Sequence, residues 1–483
     1  MKGHKRTIPI IVFLAASAIA SMGARPAERP ADGKVTFWVK EVLREDPRID
    51  ASKVNIATRS GIVTLAGVVK TLASKRYAGL ETKEIQGVRG VINEIIVSPV
   101  FRSNTDISQD ILRRFLNSAD LKSTRVQVKV VDGNVTLSGQ VDSWSRRKEA
   151  ELVASEVRGV KSVITEVEVQ YKKDRSDDAI KKDVISTIGR DAYLYGLPIR
   201  VSVKDGIVIL RGSVGNAHQK DRASDDSLWV ENVKDVKNEL EVRPWENKGF
   251  RKRIPIPSDE KIEKAVRDEL TQDFRVENPF EFSVEVINGN VTLRGVVPSY
   301  YQKRLAGEDI RDVVGVGWVA NLLTVRSDWR EDSAILADIQ FEMDVDSVLD
   351  NQAIRIRVEN GIVTLSGDVN TFYEKLHAAE AASRVLGVRD VVNAIEVNRV
   401  FTFSDTALTE SVKRRLASNA ETLRVVDGIK VKVKNGQATL TGNVDTWSEY
   451  REAARVTLLT QGIRGLDNRL TVRGVERPSD EWK

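Results

Sequence analysis

The sequence contains no cysteine among its 483 residues and only three histidines. The missing thiols exclude disulfide bonds and metal sites built on thiolates. Aromatic residues make up 6% of the chain and there are 12 prolines, whereas 41% of the residues are hydrophobic and 30% are charged. This balance is typical of folded domains. The formal net charge of +5 is too small to indicate nucleic acid as a partner.

The first 24 residues differ from the rest of the chain. Three basic residues within the first six positions precede an apolar run from Ile8 to Ala20, and Ala18-Ile-Ala20 fits a cleavage site. The run is shorter than the ~20 residues that a bilayer-spanning helix needs. We therefore interpret residues 1–24 as a signal peptide that exports the protein to the periplasm. An uncleaved helix lying on the membrane is the alternative, and without a cysteine we expect no lipid anchor on the mature chain.

A seven-residue phrase, GIVTLSG in one copy, occurs six times and organises the remaining sequence. Successive copies start 72, 73, 83, 72 and 75 residues apart. This period is too long for a solenoid repeat and suits a chain of small domains. The copies start at Gly61, Gly133, Gly206, Gly289, Gly361 and Gly436.

Alternating apolar residues precede each copy, as at Val126, Val128 and Val130. Spacing of this kind predicts a strand with one buried face. Dipeptides such as Asn360-Gly361 then supply a tight hairpin turn that needs positive φ. Because the apolar alternation resumes after the turn, each phrase is predicted to be the turn and second strand of a β-hairpin.

A helix is predicted to follow each hairpin, because good N-cap residues stand four positions after the second glycine of every copy. A glutamate or glutamine three residues further on predicts a capping box in four copies. An alanine at the eleventh position lets the helix approach the sheet closely. A glycine at the twentieth position, replaced by Asn232 in the third copy, predicts a left-handed C-cap. The N-caps are Thr71, Ser143, Asn216, Ser299, Thr371 and Thr446; the alanines are Ala78, Ala150, Ala223, Ala306, Ala378 and Ala453.

One more helical pattern before each hairpin and one more strand at the end complete a unit of helix, strand, strand, helix, strand. The unit resembles the BON domain, an αββαβ module of bacterial osmotic-shock and nodulation-related envelope proteins, in its Gly-x-Val-x-Leu-x-Gly hairpin, its capped helix and the following Gly387-Val388 motif. The predicted fold class is α+β, with six small tandem domains, each a sheet covered by two helices. The predicted domains are residues 34–98, 103–171, 174–243, 256–326, 328–398 and 404–474.

The recurring residues carry no chemistry for catalysis, so the sequence predicts no catalytic, cofactor-binding or metal-binding site and no enzyme. His218 and His377 occupy different helix positions, and we expect both to be solvent-exposed. Asp177-Asp178 and Asp225-Asp226 are interpreted as helix-end charges on solvated faces.

Aromatic residues are the candidates for membrane contact. Phe37 and Trp38 lie off or at the edge of the apolar stripe of the first helix, which favours contact with something outside the domain. The linker 244–255 clusters basic and aromatic residues: Trp245, Lys248, Phe250, Arg251, Lys252 and Arg253. Apolar residues that follow the N-caps, such as Trp144 and Trp447, are either bilayer anchors or local packing at the helix start.

The resemblance implies a non-enzymatic periplasmic protein that associates with phospholipid surfaces and supports envelope integrity under osmotic stress. The alternative is a scaffold whose repeats hold an envelope protein or associate with each other. Domains of 60–70 residues are marginally stable alone, so contacts between them are expected to matter. Because the linker 244–255 contains proline and basic residues, we also expect two separable triplets of domains.

Overall fold

A computed structural model describes residues 30–171, 174–243, 257–272, 279–349, 353–398 and 403–472. These residues form six domains, numbered 1 to 6 along the chain, each with the predicted order helix, strand, strand, helix, strand. The predicted α+β class is confirmed. The predicted signal peptide and the linker 244–255 lie outside the described residues.

The bounds of the elements repeat closely from domain to domain. The first helices span Asp32–Glu45, Asn104–Asn117, Asp177–Arg190, Asp259–Gln272, Asp332–Val345 and Asp405–Ser418. The hairpins pair Val54–Arg59 with Ile62–Val69, Gln127–Val131 with Asn134–Val141, Ile199–Lys204 with Ile207–Val214, Ser283–Ile287 with Asn290–Val297, Ala353–Glu359 with Ile362–Val369, and Ile429–Lys434 with Gln437–Val444. The second helices span Leu72–Lys83, Trp144–Glu156, Ala217–Leu228, Tyr300–Arg311, Phe372–Arg384 and Trp447–Leu458. The third strands are Gly90–Val97, Ser162–Val169, Asp235–Val242, Val319–Val325, Asp390–Val397 and Gly465–Val472.

Each sheet has three strands in sequence order, the first two antiparallel and the last two parallel. In domain 5, Val363 of the central strand lies opposite Val358 on one side and Val391 on the other. The two helices cover one face, where Val363 and Leu365 are fully buried with Ile339. All six recurring alanines of the second helices are also fully buried, as their small size predicted.

The hairpin turns have the predicted left-handed backbone. Asn360 and Gly361 have φ values of 54° and 74°. The carboxylate of Asp332, the first residue of the first helix, accepts hydrogen bonds from both of their N–H groups at 2.8 and 2.9 Å. Asp32, Asp177, Asp259 and Asp405 make the same contact in domains 1, 3, 4 and 6. The turn is therefore held against the first helix as well as within the sheet.

The predicted N-caps are confirmed, because every one accepts a hydrogen bond from the backbone N–H three residues later. Thr371 with Glu374 and Thr446 with Glu449 form full capping boxes. Gln219 departs from the prediction, since its side chain accepts from Gly215 N–H instead.

The left-handed backbone predicted at the five glycines and at Asn232 is confirmed, but these residues lie beyond the C-caps of the helices. The second helix of domain 1 ends at Lys83, whereas Gly87 lies four residues later, in the turn before the third strand, with a φ of 88°. A side chain on Gly87 would come within 3.1 Å of Pro30 and Val35. The glycine therefore allows the turn to pack against the start of the first helix.

The six domains pair in a nested order, domain 1 with 6, 2 with 5, and 3 with 4. In each pair, the residues that follow the first helix of one domain form a short antiparallel β-bridge with the residues that follow the second helix of the other domain. Backbone hydrogen bonds join the pairs, including Gln86 N–H to Ser418 O, Leu386 N–H to Asn117 O and Val314 N–H to Arg190 O, at 2.8–2.9 Å. The first half of the chain therefore folds back on the second.

Within each half, every domain also contacts the other two. Leu72 of domain 1 packs against the core of domain 2, and Ala217 of domain 3 packs against the core of domain 1. Trp144 of domain 2 donates its indole N–H to Val233 O of domain 3 at 2.8 Å. In the second half, Tyr300 of domain 4 packs against domain 5, and Trp447 of domain 6 meets Trp318 of domain 4. Arg464 of domain 6 donates to Val397 O of domain 5, which completes the second set.

These contacts overturn the expectation of two separable halves. Three interfaces with backbone hydrogen bonds join domains 1–3 to domains 4–6, and such hydrogen bonds form only when both halves are in register. The contacts between domains that their small size led us to expect are present at these interfaces.

Candidate functional surfaces and buried networks

The predicted membrane-contact residues have different surroundings. Phe37 is 53% exposed, as its position off the apolar stripe predicted. Trp38 is half-buried against the core of domain 1, and the Nζ of Lys34 lies 4.7 Å from the centre of its ring. Trp38 is therefore partly a packing residue. Trp245, Lys248, Phe250, Arg251, Lys252 and Arg253 lie outside the described residues.

Four of the apolar residues that follow the N-caps, Leu72, Tyr300, Phe372 and Trp447, pack against the core of their own domain, as one interpretation predicted. Most of the six also contact another domain. Leu72, Trp144, Ala217, Tyr300 and Trp447 reach neighbouring domains, as described above, while Phe372 packs against the core of its own domain. Both interpretations of these residues missed the interdomain contact. The sequence signal, apolarity at one recurring position, is the same for a local and for an interdomain contact.

Two exposed aromatic residues outside the prediction occupy equivalent positions in the paired domains 2 and 5. Phe101 is 91% exposed and Trp329 is 80% exposed. Each is followed by an arginine that forms an ion pair with its own first helix, Arg102 with Asp110 at 2.7 Å and Arg330 with Asp338 at 2.8 Å. The arginine fixes the segment that carries the aromatic ring. An aromatic residue outside any periodic pattern was the available sequence signal.

The open faces of the sheets also present apolar side chains. In domain 1, Ile92 and Ile96 of the third strand are 48% and 64% exposed, and Ile164 of domain 2 is 57% exposed. The helices cover only the opposite face, so these residues remain available for contact.

The interface between domains 2 and 5 contains a buried network of charges. Arg114, fully buried, donates to Glu342 of domain 5 at 2.6 Å and to Glu156 of its own domain at 3.3 Å. Arg384 of domain 5 reaches back to Glu156 at 2.9 Å. Arg114 and Glu342 hold equivalent positions in their helices, so the pair lies near the approximate twofold axis that relates the two domains. Buried charges need this degree of pairing, since removing them from water is costly.

His377 belongs to the same network, which corrects its predicted exposure. The residue is 2% exposed, and its Nε2 lies 3.0 Å from a carboxylate oxygen of Asp346. Burial by itself lowers the pKa of His377, but the carboxylates of Asp346, Glu156 and Glu380 outweigh burial and raise the pKa to about 9. Although burial opposes it, pairing with His377 and Arg114 lowers the pKa of Asp346 to about 2. The two groups therefore form an ion pair at neutral pH.

Domains 1 and 6 have a corresponding network. Arg415 of domain 6 donates to Asp46 and Glu81 of domain 1, both at 3.4 Å. Arg48 and Arg455 also bind Glu81, so three guanidinium groups surround one buried carboxylate. Burial opposes ionisation of Glu81, but these arginines lower its pKa below the usual range. The interface again matches buried charges with partners from the opposite half of the chain.

Ion pairs also join domains 3 and 4. Arg190 binds Glu269 at 2.9 Å, and Arg222 bridges Asp191 of domain 3 and Asp312 of domain 4. His218 is partly buried nearby, 3.9 Å from the Glu84 carboxylate, rather than fully exposed as predicted. Asp226 is buried, which corrects its interpretation as a solvated charge.

The charged groups buried at these interfaces are largely paired with one another. Among the described residues, one set of possible metal ligands has its atoms within 4.8 Å of one another, namely Glu156, Asp346 and His377. The Glu156 carboxylate already accepts hydrogen bonds from Arg114 and Arg384, and the Asp346 carboxylate is paired with His377. Structural pairing therefore accounts for the shifted pKa values here, although shifts of this kind also occur in active sites. None of the helices in the described part of the chain is both long and apolar enough to cross a membrane.

These features define a class of protein: a tandem array of small αββαβ domains whose buried polar groups join one domain to another. Within that class, the chain belongs to the BON-domain family. The family model described as BON domain matches residues 31–99, 103–171, 176–244, 258–327, 331–399 and 404–474.

Two curated relatives are similar to part of the chain. Osmotically-inducible protein Y of Escherichia coli is 32% identical over 149 residues, which cover 30% of this chain and 74% of that protein. Outer membrane lipoprotein DolP of Haemophilus influenzae is 33% identical over 140 residues, which cover 28% of this chain and 72% of that protein. Both relatives therefore match a stretch of about two domains.

Among solved structures, the C-terminal domain of CdsD, described as the structural protein of the Type III secretion system of Chlamydia trachomatis, is 16% identical. The match covers 43% of this chain and 94% of that one, with a TM-score of 0.12. This low overall similarity carries no argument about function.

Proposed function

We propose that this chain is a non-enzymatic periplasmic protein that associates with phospholipid surfaces and supports the cell envelope under osmotic stress. The names of its relatives, an osmotically-inducible protein and an outer membrane lipoprotein, support the envelope and osmotic parts of the proposal. The exposed aromatic residues Phe37, Phe101 and Trp329 are the observation that favours a lipid surface. Aromatic rings are well suited to the boundary between headgroups and acyl chains.

Charge alone gives little attraction to the membrane. Without the predicted signal peptide the chain carries about +2, and each Lys or Arg near an anionic surface contributes only ~1 kcal/mol, which salt screens. The proposed contact therefore depends on ring insertion, and several weak contacts on one chain would add up by avidity where they reach the same surface together.

Sedimentation with vesicles tests the proposal. The full mature chain is expected to sediment with phosphatidylglycerol-containing vesicles at low ionic strength, and Phe101→Ala with Trp329→Ala is expected to reduce the bound fraction several-fold. Phe37→Ala tests the predicted contact separately, without disturbing the half-buried Trp38. Ile96→Ala is the matched control, since it also removes an exposed apolar side chain but from the rigid face of a sheet. Failure of the unaltered protein to sediment would reject the lipid proposal.

A protein scaffold is the second candidate, and the exposed isoleucines of the open sheet faces favour it. Such a face could hold an envelope protein or a second copy of the chain. Sedimentation velocity over a range of concentrations would reveal self-association, and Ile92→Lys with Ile96→Lys should abolish it. A strictly monomeric chain that also ignores vesicles would leave an envelope protein as the remaining partner.

A further inference from the structure

A cavity of about 330 Å³ lies where domains 1, 3 and 4 meet. The second helix of domain 3 forms one wall, with Asp226 on the helix and Trp229 at its C-cap. Leu80 of domain 1 and Val313 of domain 4 contribute apolar side chains. Its volume is at the lower end of the range for small-molecule sites, roughly 300–1,000 Å³. The cavity exists only when the two halves of the chain are folded together.

The lining is strongly acidic. Seven carboxylates line the cavity, against two arginines and one histidine: Asp191, Asp221, Asp225, Asp226, Glu269, Asp309 and Asp312 against Arg190, Arg222 and His218. Both arginines already form ion pairs: Arg222 with Asp191 and Asp312, and Arg190 with Glu269. Lys83 of domain 1 also pairs with Asp221, and Arg451 of domain 6 lies 3.8 Å from Asp312. The seven carboxylates still outnumber these four cations.

Asp226 is the residue that points to a ligand. It is 9% exposed, and its Oδ2 is buried with no hydrogen-bond partner among the described residues. A buried carboxylate oxygen without a partner costs free energy, so such groups are uncommon unless an ion or a ligand satisfies them. Burial and the nearby Asp191 carboxylate raise the pKa of Asp226 well above its ordinary value, and Arg222 opposes this only in part. The carboxyl group lacks a sufficient counter-charge from the protein.

The arrangement fits an extended cation better than a single metal ion. In the described part of the chain, the one set of carboxylate and histidine atoms close enough to hold a metal lies between domains 2 and 5, not in this cavity. The acidic groups here are spread over the walls and alternate with Leu80, Val230 and Val313. Separated positive charges joined by methylene groups would match both features. We propose that the cavity binds a small aliphatic polyamine, with an ammonium group of the ligand donating to Asp226.

Calorimetric titration of the full mature chain with spermidine tests this inference, which does not depend on the proposed membrane role. Asp226→Asn keeps the shape of the side chain and removes its charge, so the variant is expected to fold and to lose about tenfold or more in spermidine affinity. Asp225→Asn, on the exposed side of the same helix, should weaken binding less. Asp467→Asn in domain 6 is the matched control and should bind as the unaltered chain does.

Three results would overturn the inference. They are absence of heat with spermidine, equal affinity of the Asp226→Asn variant and the unaltered chain, and binding of Mg²⁺ or Ca²⁺ at the same site with higher affinity than spermidine. Thermal unfolding of each variant shows whether it is folded. If Asp226→Asn unfolds at a clearly lower temperature, Asp226→Ser replaces it; reduced spermidine affinity in this folded variant supports the inference, and unchanged affinity contradicts it.

Discussion

At the scale of single residues, the turn glycine of each repeat has a strict backbone requirement, because its φ is positive. Gly361 has a φ of 74°, and a Cβ there would lie 2.9 Å from Gly387 O and from the side chain of Arg389. We expect Gly361→Val to destabilise the protein by roughly 1–3 kcal/mol, because a β-branched residue is strained at positive φ and collides with backbone. Denaturant unfolding of the full mature chain measures the change.

Gly189→Ala is the matched control for that prediction. Gly189 lies in the first helix of domain 3, and a Cβ there would meet nothing within 4 Å. Alanine in a helix is expected to be neutral or to stabilise by about 0.5–1 kcal/mol. Equal losses of stability in both variants would contradict the steric assignment of Gly361.

The His377–Asp346 pair predicts a dependence of stability on pH. The pKa of His377 is raised to about 9 in the folded protein, above the ordinary value of about 6.5. The pair therefore contributes fully below pH ~6.5, and its contribution, on the order of 2–3 kcal/mol, is lost as the pH rises through about 9. Unfolding of the unaltered protein and of His377→Gln between pH 6 and 10 measures this difference. The two curves should converge at high pH, and a constant separation would reject the prediction.

At the scale of elements, the first turn of the second helix has two tasks. The side chain of the N-cap residue accepts a hydrogen bond from a backbone N–H of the first turn. In most domains the next residue contacts another domain. Trp144→Phe keeps the ring contact but removes the indole N–H that donates to Val233 O at 2.8 Å. We expect a loss of about 1 kcal/mol, the usual net contribution of one hydrogen bond. Thermal unfolding measures it, with Trp329→Phe as the exposed control that should change little. No difference between the two variants would mean that the indole bond contributes nothing.

The same element explains why the capping pattern could be predicted from the sequence and the interdomain contact could not. Thr371 and Glu374 bond to backbone groups three or four residues away, so their spacing in the sequence contains the whole interaction. Tyr300 at the corresponding helix start packs against the core of domain 5. Its partner depends on where another domain lies, and no local spacing specifies that position.

At the scale of the whole molecule, the nested pairing predicts that the halves stay together after the chain is cut. We expect a protein cleaved at a protease site inserted between residues 244 and 256 to elute as one species in size-exclusion chromatography. Arg114→Met leaves Glu342 without its buried partner, while Glu156 keeps Arg384. Loss of one partner of a buried ion pair typically costs about 3–5 kcal/mol, so the cleaved variant should separate more readily.

Arg357→Met is the control for the cleaved protein. Arg357 pairs with Glu359 of its own domain on the surface, and exposed pairs of this kind contribute at most about 1 kcal/mol. Two separate peaks from the unaltered cleaved chain, at concentrations where the intact chain is folded, would show that the interfaces depend on the linker.

The repeated domain was predictable because its determinants are local. The alternating valines, the Asn360-Gly361 turn, the N-caps and the fully buried alanines all lie within about 30 residues of one another. Each also has the same neighbours in every copy. The family model and the three-stranded sheets agree with that prediction. Exposure of His377 was predicted wrongly because its partner Asp346 is 31 residues away and lies in an interface.

The sequence by itself determined the number of repeats, the order of their elements and the membership of the family, since periodicity and turn chemistry act over short distances. Only the tertiary structure decided which domains meet. Arg114 and Glu342 are 228 residues apart, and their ion pair exists because domains 2 and 5 fold against each other. The acidic cavity around Asp226 arises in the same way, from walls supplied by domains 1, 3 and 4. Burial at those interfaces removes water, and that loss makes each charge depend on partners distant in the chain.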